Sequence, residues 1–321
     1  MTTKRNCTRT GTEPGLSTKT RGIVLGVLLL LFLAVTMQPC AWAQPGGVIG
    51  PNGVPIPQGQ NIKGMHIFLW GGLKSHGEGQ HDYPQFVADW SKILTDHGAV
   101  VDGALHTPSA ADLEHTDVVI LYKGDAGYLN AGEKATLDAY VKRGGGFVNL
   151  HDSLCGPDPE YMASILGAGK KHFEVNYSQG ALHYTIADKS DPIMKEMSDI
   201  TVRDEAFFLL TWAKNPPVHV LATVAIPATR SGEHTGEIVP QMWTWEHTVP
   251  GGQPARAFVW MQGHYYPIFT NYQIQQTLFR GIAWAGKKPV DELINYVPPA
   301  RPGMPGMPPG GREMPSGGRG R

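Results

Sequence analysis

The sequence predicts an α/β fold, with a mostly parallel sheet, helices on both faces, and an antiparallel or mixed extension in the second half. Two observations predict this fold class. Between residues 63 and 151, four apolar segments alternate with helical patterns, which is typical of βαβ units joined by right-handed crossovers. After residue 170, apolar segments follow one another with turns and few helices between them, which indicates strands that pair with their sequence neighbours.

The first half starts with "KGMHIFLW" (63–70), an apolar run that glycines follow, as expected of a buried strand. From Phe86 to Leu94 apolar residues recur at helical spacing, and Gly98 marks the helix end. We expect Asp82 to cap this helix, because Asp followed closely by Pro is an ordinary helix start; the alternative is that it accepts the Nδ1 proton of His76 or His81. Further strands are predicted at 99–106, 117–124 and 146–151, and a second helix with an Asn-x-x-Glu capping signature at 130–145.

The second half contains four more predicted strands and a final helix. The strands are "GALHYTIAD", "VHVLATVAI", "EIVPQMWTWEH" and "ARAFVWMQGH". The helix, 271–285, carries Ile274, Leu278 and Ile282 at helical spacing and is expected to pack back on the sheet. Together with the first half, these segments predict a folded domain over residues 63–290, a length that one large α/β domain can occupy.

The two ends of the chain differ from this domain in composition. Residues 1–43 combine a basic start, the apolar run "GIVLGVLLLLFLAVTM" and the cleavage pattern "AWA", which predict a signal peptide and export to the periplasm or the cell exterior. An uncleaved anchor helix is the alternative, although an apolar core of roughly 15 residues is short for a bilayer that needs about 20. Residues 44–62 have the composition of a linker, and the Pro/Gly/Met-rich segment 298–321 is expected to be disordered.

Charge and cysteine content narrow the function classes. Residues 1–43 carry five positive charges and one negative, so the formal net charge of −1 becomes −5 without them. This balance implies no basic face for nucleic acid. Cys155 is the single cysteine after residue 43, so we expect no disulfide framework, and the fold must rely on its core. Contact with a membrane is expected through the N-terminal segment only.

Histidines follow three of the predicted strands. His76 and His81 come after the first strand in the glycine-rich loop "HGEGQHDYP", His151 ends the fourth, and His264 follows the last. Because ligands of open parallel sheets bind beyond the carboxyl ends of the strands, we expect these imidazoles to line one crevice. Imidazole serves both as a metal ligand and in proton transfer, and the spacing does not decide between these uses. We assign His76 and His81 to a divalent metal such as zinc, and His151 and His264 to catalysis; hydrogen-bonded structural histidines are the alternative.

Carboxylates and aromatic residues supply the remaining candidates. Asp204 and Glu205 lie beside apolar residues in "TVRDEAFFL", where a carboxylate can act catalytically as a general base with a raised pKa, or as a metal ligand. The alternative is a strand-end acid that pairs with Arg203. Tyr265 and Trp243 are candidates for stacking on a sugar ring, although aromatic residues in a domain of this size are mostly core.

An ordered set of motifs carries a family resemblance. "HDYPQF", "GGGFVNLHDS", "RDEAFFL", "ARAFVWMQGH" and "LFRGIAWA" together resemble the ThuA-like (trehalose utilisation) family, and the match spans nearly all of residues 63–285. That family's fold is similar to the class I glutamine amidotransferase domain. The resemblance implies a flavodoxin-like three-layer sandwich and a link to sugar metabolism, in particular to disaccharides such as trehalose and to sugars oxidised at C3.

Amidotransferases of that fold place a catalytic cysteine on a tight turn after a strand. Here the equivalent strand "GFVNL" delivers His151 to the turn, and Cys155 lies four residues further on. Ser153 lacks the G-x-S-x-G surroundings of a nucleophile elbow. We therefore expect neither covalent catalysis nor glutamine hydrolysis, and we interpret Cys155 as a small buried hydrophobe.

Three function hypotheses remain open at the level of the sequence. The first is an exported protein of carbohydrate metabolism that cleaves or isomerises keto-sugar glycosides by proton abstraction, with or without a metal ion. The second is a non-catalytic domain that binds sugars or polysaccharide in the same crevice. The third is a metal-buffering protein, which the sequence favours least because its histidines are spread along the chain and do not form a tract. The expected partner is a small sugar, and the sequence leaves both the oligomeric state and enzymatic activity open.

Overall fold

The computed structural model describes residues 64–172, 174 and 176–298. The predicted signal peptide and linker, and the tail beyond Pro298, lie outside the described residues, so those assignments stay predictions. Within the described ranges, no helix combines the length and the apolar character needed to cross a bilayer.

Twelve strands and five α-helices make up the described fold. The strands are β1 (His66–Gly71), β2 (Val100–Ala104), β3 (Val118–Tyr122), β4 (Gly146–Leu150), β5 (Cys155–Gly156), β6 (Ala168–Lys171), β7 (Tyr177–Ile186), β8 (Thr201–Phe207), β9 (Thr211–Trp212), β10 (His219–Ala225), β11 (Ile238–His247) and β12 (Ala255–Trp260). The helices are α1 (Tyr83–Asp96), α2 (Ala110–Leu113), α3 (Ala131–Lys142), α4 (Pro159–Leu166) and α5 (Tyr272–Ala285). Short 3-10 turns cover His151–Leu154, Pro192–Met194 and Tyr266–Thr270.

Nine of these strands form one sheet whose two ends differ in direction. The order is β2-β1-β3-β4-β12-β11-β10-β7-β8. The first five strands pair in parallel, and from β12 onward each neighbour is antiparallel. The mixed α/β sheet predicted from the sequence, parallel first and antiparallel after, is thereby confirmed. The order of the first strands fits a flavodoxin-like class.

Alternation along the parallel strands divides the core between the two faces of the sheet. Ile67 and Leu69 of β1 belong to a hydrophobic cluster that also contains residues of α1 and α5. Phe68 and Trp70 belong to a second cluster that contains residues of α3 and α4. Successive side chains of a strand point to opposite faces, so a strand covered on both sides is apolar at every position, as β3 is with all five residues buried.

The starts of the helices test the capping predictions. The side chain of Asn130 accepts hydrogen bonds from the backbone N–H groups of Gly132 and Glu133, and Glu133 accepts one from the backbone N–H of Asn130. This is the capping box predicted for α3. At α1 the prediction was wrong: Asp82 occupies the N-cap position without a side-chain cap bond, and its carboxylate pairs with the ammonium of Lys74 at 2.9 Å.

Candidate functional site

Three buried histidines converge at the carboxyl edge of the parallel strands. His81 lies at the end of the loop after β1, His151 directly follows β4, and His264 follows β12. Because these strands are parallel, their carboxyl ends share one edge of the sheet. All three side chains are buried there: His81 is 5% exposed, His151 0% and His264 2%. The Nε2 atoms of His81 and His151 are 3.0 Å apart, and the ring of His264 lies 4.6 Å from that of His81 between centroids.

The backbone at these histidines is unusual. His76, His81 and His151 have φ angles of 63°, 46° and 56°, in the left-handed region that residues other than glycine seldom adopt. Such conformations cost about 1–3 kcal/mol each and cluster where a site requires them. His151 adopts it at the sharp turn that leaves β4, the turn at which the sequence predicted this residue.

The loop after β1 folds back on the segment after β12. Gly79 has a φ of 72° with open space around it, which turns the chain toward that segment. The backbone N–H of His81 donates to the carbonyl of His264 at 3.0 Å, and the N–H of Tyr266 donates to the carbonyl of Gly79 at 2.8 Å. These two bonds fix the positions of His81 and His264 relative to each other.

The carboxylate of Glu205 reaches this histidine cluster from the far end of the sheet. One of its oxygen atoms is 3.7 Å from Nε2 of His151 and the other is 3.4 Å from Nδ1 of His264. Gln179, its partner across β7 and β8, donates to it at 2.7 Å. Although β8 is four strands from β12 in the sheet, the side chain of Gln262 donates to the backbone carbonyl of Glu205 at 2.8 Å. The end of β8 therefore lies over the carboxyl edge.

Asp204, the other predicted acid, has a different place. Its carboxylate accepts hydrogen bonds from the backbone N–H groups of Glu205, Gly263, His264 and Tyr265, at 2.8 to 3.3 Å. Asp204 thereby anchors the segment that carries His264 and does not itself contact the imidazoles. The sequence prediction treated the two acids alike, and the structure separates them because adjacent residues of a strand point to opposite sides.

Burial sets the charge of the site. Burial is the largest cause that lowers the pKa of His81 to about 3 and that of His264 to about 4, and it holds the pKa of His151 well below its usual value. Burial also raises the pKa of Glu205 to about 7, against the lowering effect of the hydrogen bond from Gln179. At neutral pH the imidazoles are neutral, and Glu205 is close to half-ionised. A group poised in this way can both accept and return a proton.

The hydrogen-bond partners fix one consistent proton arrangement. Nδ1 of His151 lies 3.3 Å from the carbonyl of Met261, which can only accept, so Nδ1 carries the proton and Nε2 has a lone pair. His81 then donates from Nε2 to His151. Its own Nδ1 accepts from the hydroxyl of Ser75 at 3.0 Å.

Several site residues were missed by the sequence prediction. Asp152 lies 3.9 Å from Nε2 of His151 and accepts a hydrogen bond from the hydroxyl of Tyr83 at 3.0 Å. Its place directly after His151 was a signal that could have found it. Ser75 and Gln179 have no comparable signal, because their roles depend on how the loop and the β7–β8 pair fold.

Three predicted site residues lie at the margin of the cluster or away from it. His76 is exposed, with its ring 4.0 Å from that of His81, and it is not among the three histidines whose nitrogen atoms lie within 4.8 Å of one another. Tyr265 is half-buried, with its hydroxyl 3.4 Å from the side-chain oxygen of Gln179. Trp243 is fully buried in the second hydrophobic cluster, and its indole donates to the carbonyl of Leu166 at 3.0 Å. It has no exposed face for a sugar, which corrects the prediction.

The side chains near the turn that could act as nucleophiles are held in structural roles. Cys155 is buried in the second hydrophobic cluster, and burial raises the pKa of its thiol well above the usual value. A thiol of this kind is inert, since the thiolate is the reactive form. The Ser153 hydroxyl donates to the carbonyl of Leu150 at 2.7 Å and accepts from the backbone N–H of Lys123 at 2.9 Å.

Comparison with known proteins gives the family. The model for ThuA, described as trehalose utilisation, matches residues 73–285. A thua-like protein from Parabacteroides merdae ATCC 43184 is 19% identical, with a TM-score of 0.52 over 70% of this chain and 91% of that chain. A thua-like protein from Bacteroides uniformis ATCC 8492 is 15% identical, with a TM-score of 0.52 over 69% and 91%. These two likenesses concern the fold, and no curated protein matched. Because the family model covers well over half of the chain, the chain belongs to the ThuA (trehalose utilisation) family, with the carbohydrate-related function that this name implies at family level.

Proposed function

We propose that the histidine cluster and Glu205 act on a disaccharide whose ring carries a ketone, by moving a proton between a substrate carbon and Glu205. The observation that carries the proposal is the placement of this carboxylate, buried and 3.7 and 3.4 Å from the nitrogen atoms of His151 and His264. The family's link to trehalose utilisation supports a disaccharide as the substrate class.

The chemistry requires a base and a group that stabilises negative charge. A ketone makes the C–H bond beside it acidic, so Glu205 takes that proton and the electron pair moves onto the carbonyl oxygen. The imidazole of His264, whose Nδ1 has no hydrogen-bond partner within the described residues, can donate an N–H that stabilises this enolate. If the glycosidic oxygen is attached to the next carbon, the enolate re-forms the ketone, the C–O bond breaks, and protonated Glu205 gives the proton to the leaving oxygen. The products are an unsaturated ketone and a free sugar. If the bond stays intact, Glu205 can return the proton to the former carbonyl carbon while the hydroxyl on the neighbouring carbon loses its proton and becomes the new ketone, which gives an isomer.

Two finer assignments belong to the same proposal. The two hydrophobic clusters support a flavodoxin-like three-layer arrangement, in which α1 and α5 cover one face of the sheet and α3 and α4 the other. The basic start, apolar run and cleavage pattern of residues 1–43 support export to the periplasm or the cell exterior. The reaction would then meet sugars outside the cytoplasm.

The test is deuterium exchange followed by NMR. The full chain is incubated in heavy water with the 3-keto derivatives of trehalose and maltose, and we expect loss of the proton signal beside the ketone, with or without cleavage. Glu205→Gln should abolish the exchange. Glu160→Gln, at an exposed position of α4, should leave it unchanged. Folded protein that binds these sugars without exchanging the proton would overturn the proposal and favour a sugar-binding domain.

A further inference from the structure

We propose that His81, His151 and His264 bind one divalent transition-metal ion of the zinc class. In the part of the chain that the structure describes, one nitrogen atom from each lies within 4.8 Å of the others. The inference goes beyond the proposed function, because an ion can bind whether or not a sugar is turned over.

The spacing of the nitrogen atoms suits a common ion. Zinc holds imidazole nitrogen atoms at about 2.0–2.1 Å in a tetrahedral site, which puts neighbouring ligand atoms roughly 3.3 Å apart. The 3.0 Å between the Nε2 atoms of His81 and His151, and the limit of 4.8 Å for the whole set, bracket that value. Two imidazoles that face each other through their Nε2 atoms need either one shared proton or one shared cation.

The surroundings hold the rings in the way that metal-binding histidines require. A histidine that binds metal through one nitrogen usually donates the N–H of the other to an oxygen. Nδ1 of His81 is 3.0 Å from the hydroxyl of Ser75, and Nδ1 of His151 is 3.3 Å from the carbonyl of Met261. In the ion-free arrangement described above His81 carries its proton on Nε2, so binding of an ion would move this proton to Nδ1, where the hydroxyl of Ser75 accepts it. Both Nε2 atoms would then face the ion.

His264 supplies an independent observation. Its side chain is 2% exposed, and its Nδ1 is buried without a hydrogen-bond partner. A buried polar atom in this state costs free energy unless something binds it. The nearest acid, Glu205, lies at 3.4 Å. An ion bound through this Nδ1 would satisfy it, with the carboxylate of Glu205 close to the ion.

The ligand set selects the class of ion. Three imidazoles suit zinc and other first-row transition ions, whereas calcium and magnesium require oxygen ligands. Three protein ligands and an open fourth position are typical of catalytic zinc, which can polarise a carbonyl oxygen. His76 is exposed and lies outside the set.

A second group provides a matched control. Asp188, Asp191 and His219 also lie within 4.8 Å of one another, but they are at the surface. The imidazole of His219 already pairs with both carboxylates, at 3.2 and 3.4 Å. Adventitious zinc would bind there, so His219→Ala distinguishes surface binding from the buried cluster.

The test measures zinc directly. The full chain without a histidine tag is stripped with a chelator and titrated with zinc against a competing chelator, and we expect one tightly bound ion per chain. His81→Ala and His151→Ala should each weaken binding at least 100-fold, and Ser75→Ala about 10-fold, as expected for an outer partner of a ligand. His76→Ala and His219→Ala should bind as wild type does.

A second readout covers variants that fold poorly. Cobalt(II) bound to the wild-type chain should give the visible absorption of a tetrahedral site, and His264→Cys, which keeps a ligand, should change that spectrum while retaining binding. The inference would be overturned if the wild-type chain failed to bind one zinc ion per chain in the titration. It would also be overturned if His219→Ala abolished the binding. Because neither readout uses a sugar, failure of the proposed reaction would leave this result unaffected.

Discussion

At the scale of single residues, the site depends on the carboxyl group of Glu205 and on three imidazoles. Burial keeps the imidazoles neutral and raises the pKa of Glu205. The raised pKa of Glu205, at about 7, means that the folded protein favours its protonated form. The stability from that preference is fully present below the ordinary pKa of 4.5 and is lost as the pH rises through 7. Ionised Glu205 lowers the free energy of unfolding at and above neutral pH, and a cost of this kind is typical of catalytic groups.

Replacing Glu205 by glutamine should therefore stabilise the metal-free protein at high pH. Glutamine keeps the size of the protonated acid and has no charge to bury, so at pH 8 we expect the free energy of unfolding to rise by about 2–3 kcal/mol relative to wild type. At pH 4 the difference should vanish. The measurement is urea unfolding with a chelator present at both pH values. Equal differences at the two pH values would contradict the raised pKa.

Asp204 is the residue whose loss should loosen the cluster indirectly. Alanine at this position removes the acceptor of the backbone N–H groups of Gly263, His264 and Tyr265. Burial raises the pKa of Asp204 to about 6, so its loss also removes a buried charge at pH 8. We expect Asp204→Ala to destabilise the protein by about 1–3 kcal/mol, because several buried donors left without an acceptor cost more than this charge. Urea unfolding at pH 8 measures the change. The control Asp102→Ala, exposed in β2, should be neutral. An unaffected Asp204→Ala protein would show that water replaces the carboxylate.

At the scale of elements, the parallel strands and the three long helices α1, α3 and α5 could be predicted because local pattern and tertiary environment agree. A strand covered on both faces is apolar throughout, and a helix on the sheet shows its buried face at helical spacing. Helix α4 was missed, although Asp158 accepts a bond from the N–H of Tyr161 at its start and Gly167 has a φ of 80° at its end. Both signals were readable in the sequence.

The capping box of α3 gives a test at this scale. Asn130→Ala removes the acceptor for the N–H groups of Gly132 and Glu133, so we expect a loss of about 1 kcal/mol in the free energy of unfolding. Asn130→Asp should restore most of it, since aspartate accepts the same bonds. The exposed Asn295→Ala serves as a matched control for the side chain removed. If Asn130→Asp were as unstable as Asn130→Ala, the lost stability would not come from the cap hydrogen bonds.

At the scale of the whole molecule, the candidate site could be predicted only in part. Histidines at the ends of parallel strands must meet at one edge of the sheet, and this rule brought His151 and His264 together in the prediction. The approach of Glu205 could not be read from the sequence, because it depends on the antiparallel half placing the end of β8 over that edge. Trp243 was misassigned for a related reason: a residue in a strand with both faces covered is buried whatever its chemistry.

The same arrangement predicts how zinc should act on the stability of the entire domain. The three histidines come from the loop after β1, from the end of β4 and from the segment after β12, so an ion bound to them joins parts of the chain that are 183 residues apart between His81 and His264. An ion that binds the folded chain and not the unfolded one stabilises the folded chain by about 2.7 kcal/mol when the free ion concentration is 100 times the dissociation constant. For a domain of this size that raises the melting temperature by about 5–10 °C. Calorimetry with zinc should show this rise in wild type and His219→Ala but not in His151→Ala, whereas an equal rise in all three would assign the effect to ions bound elsewhere.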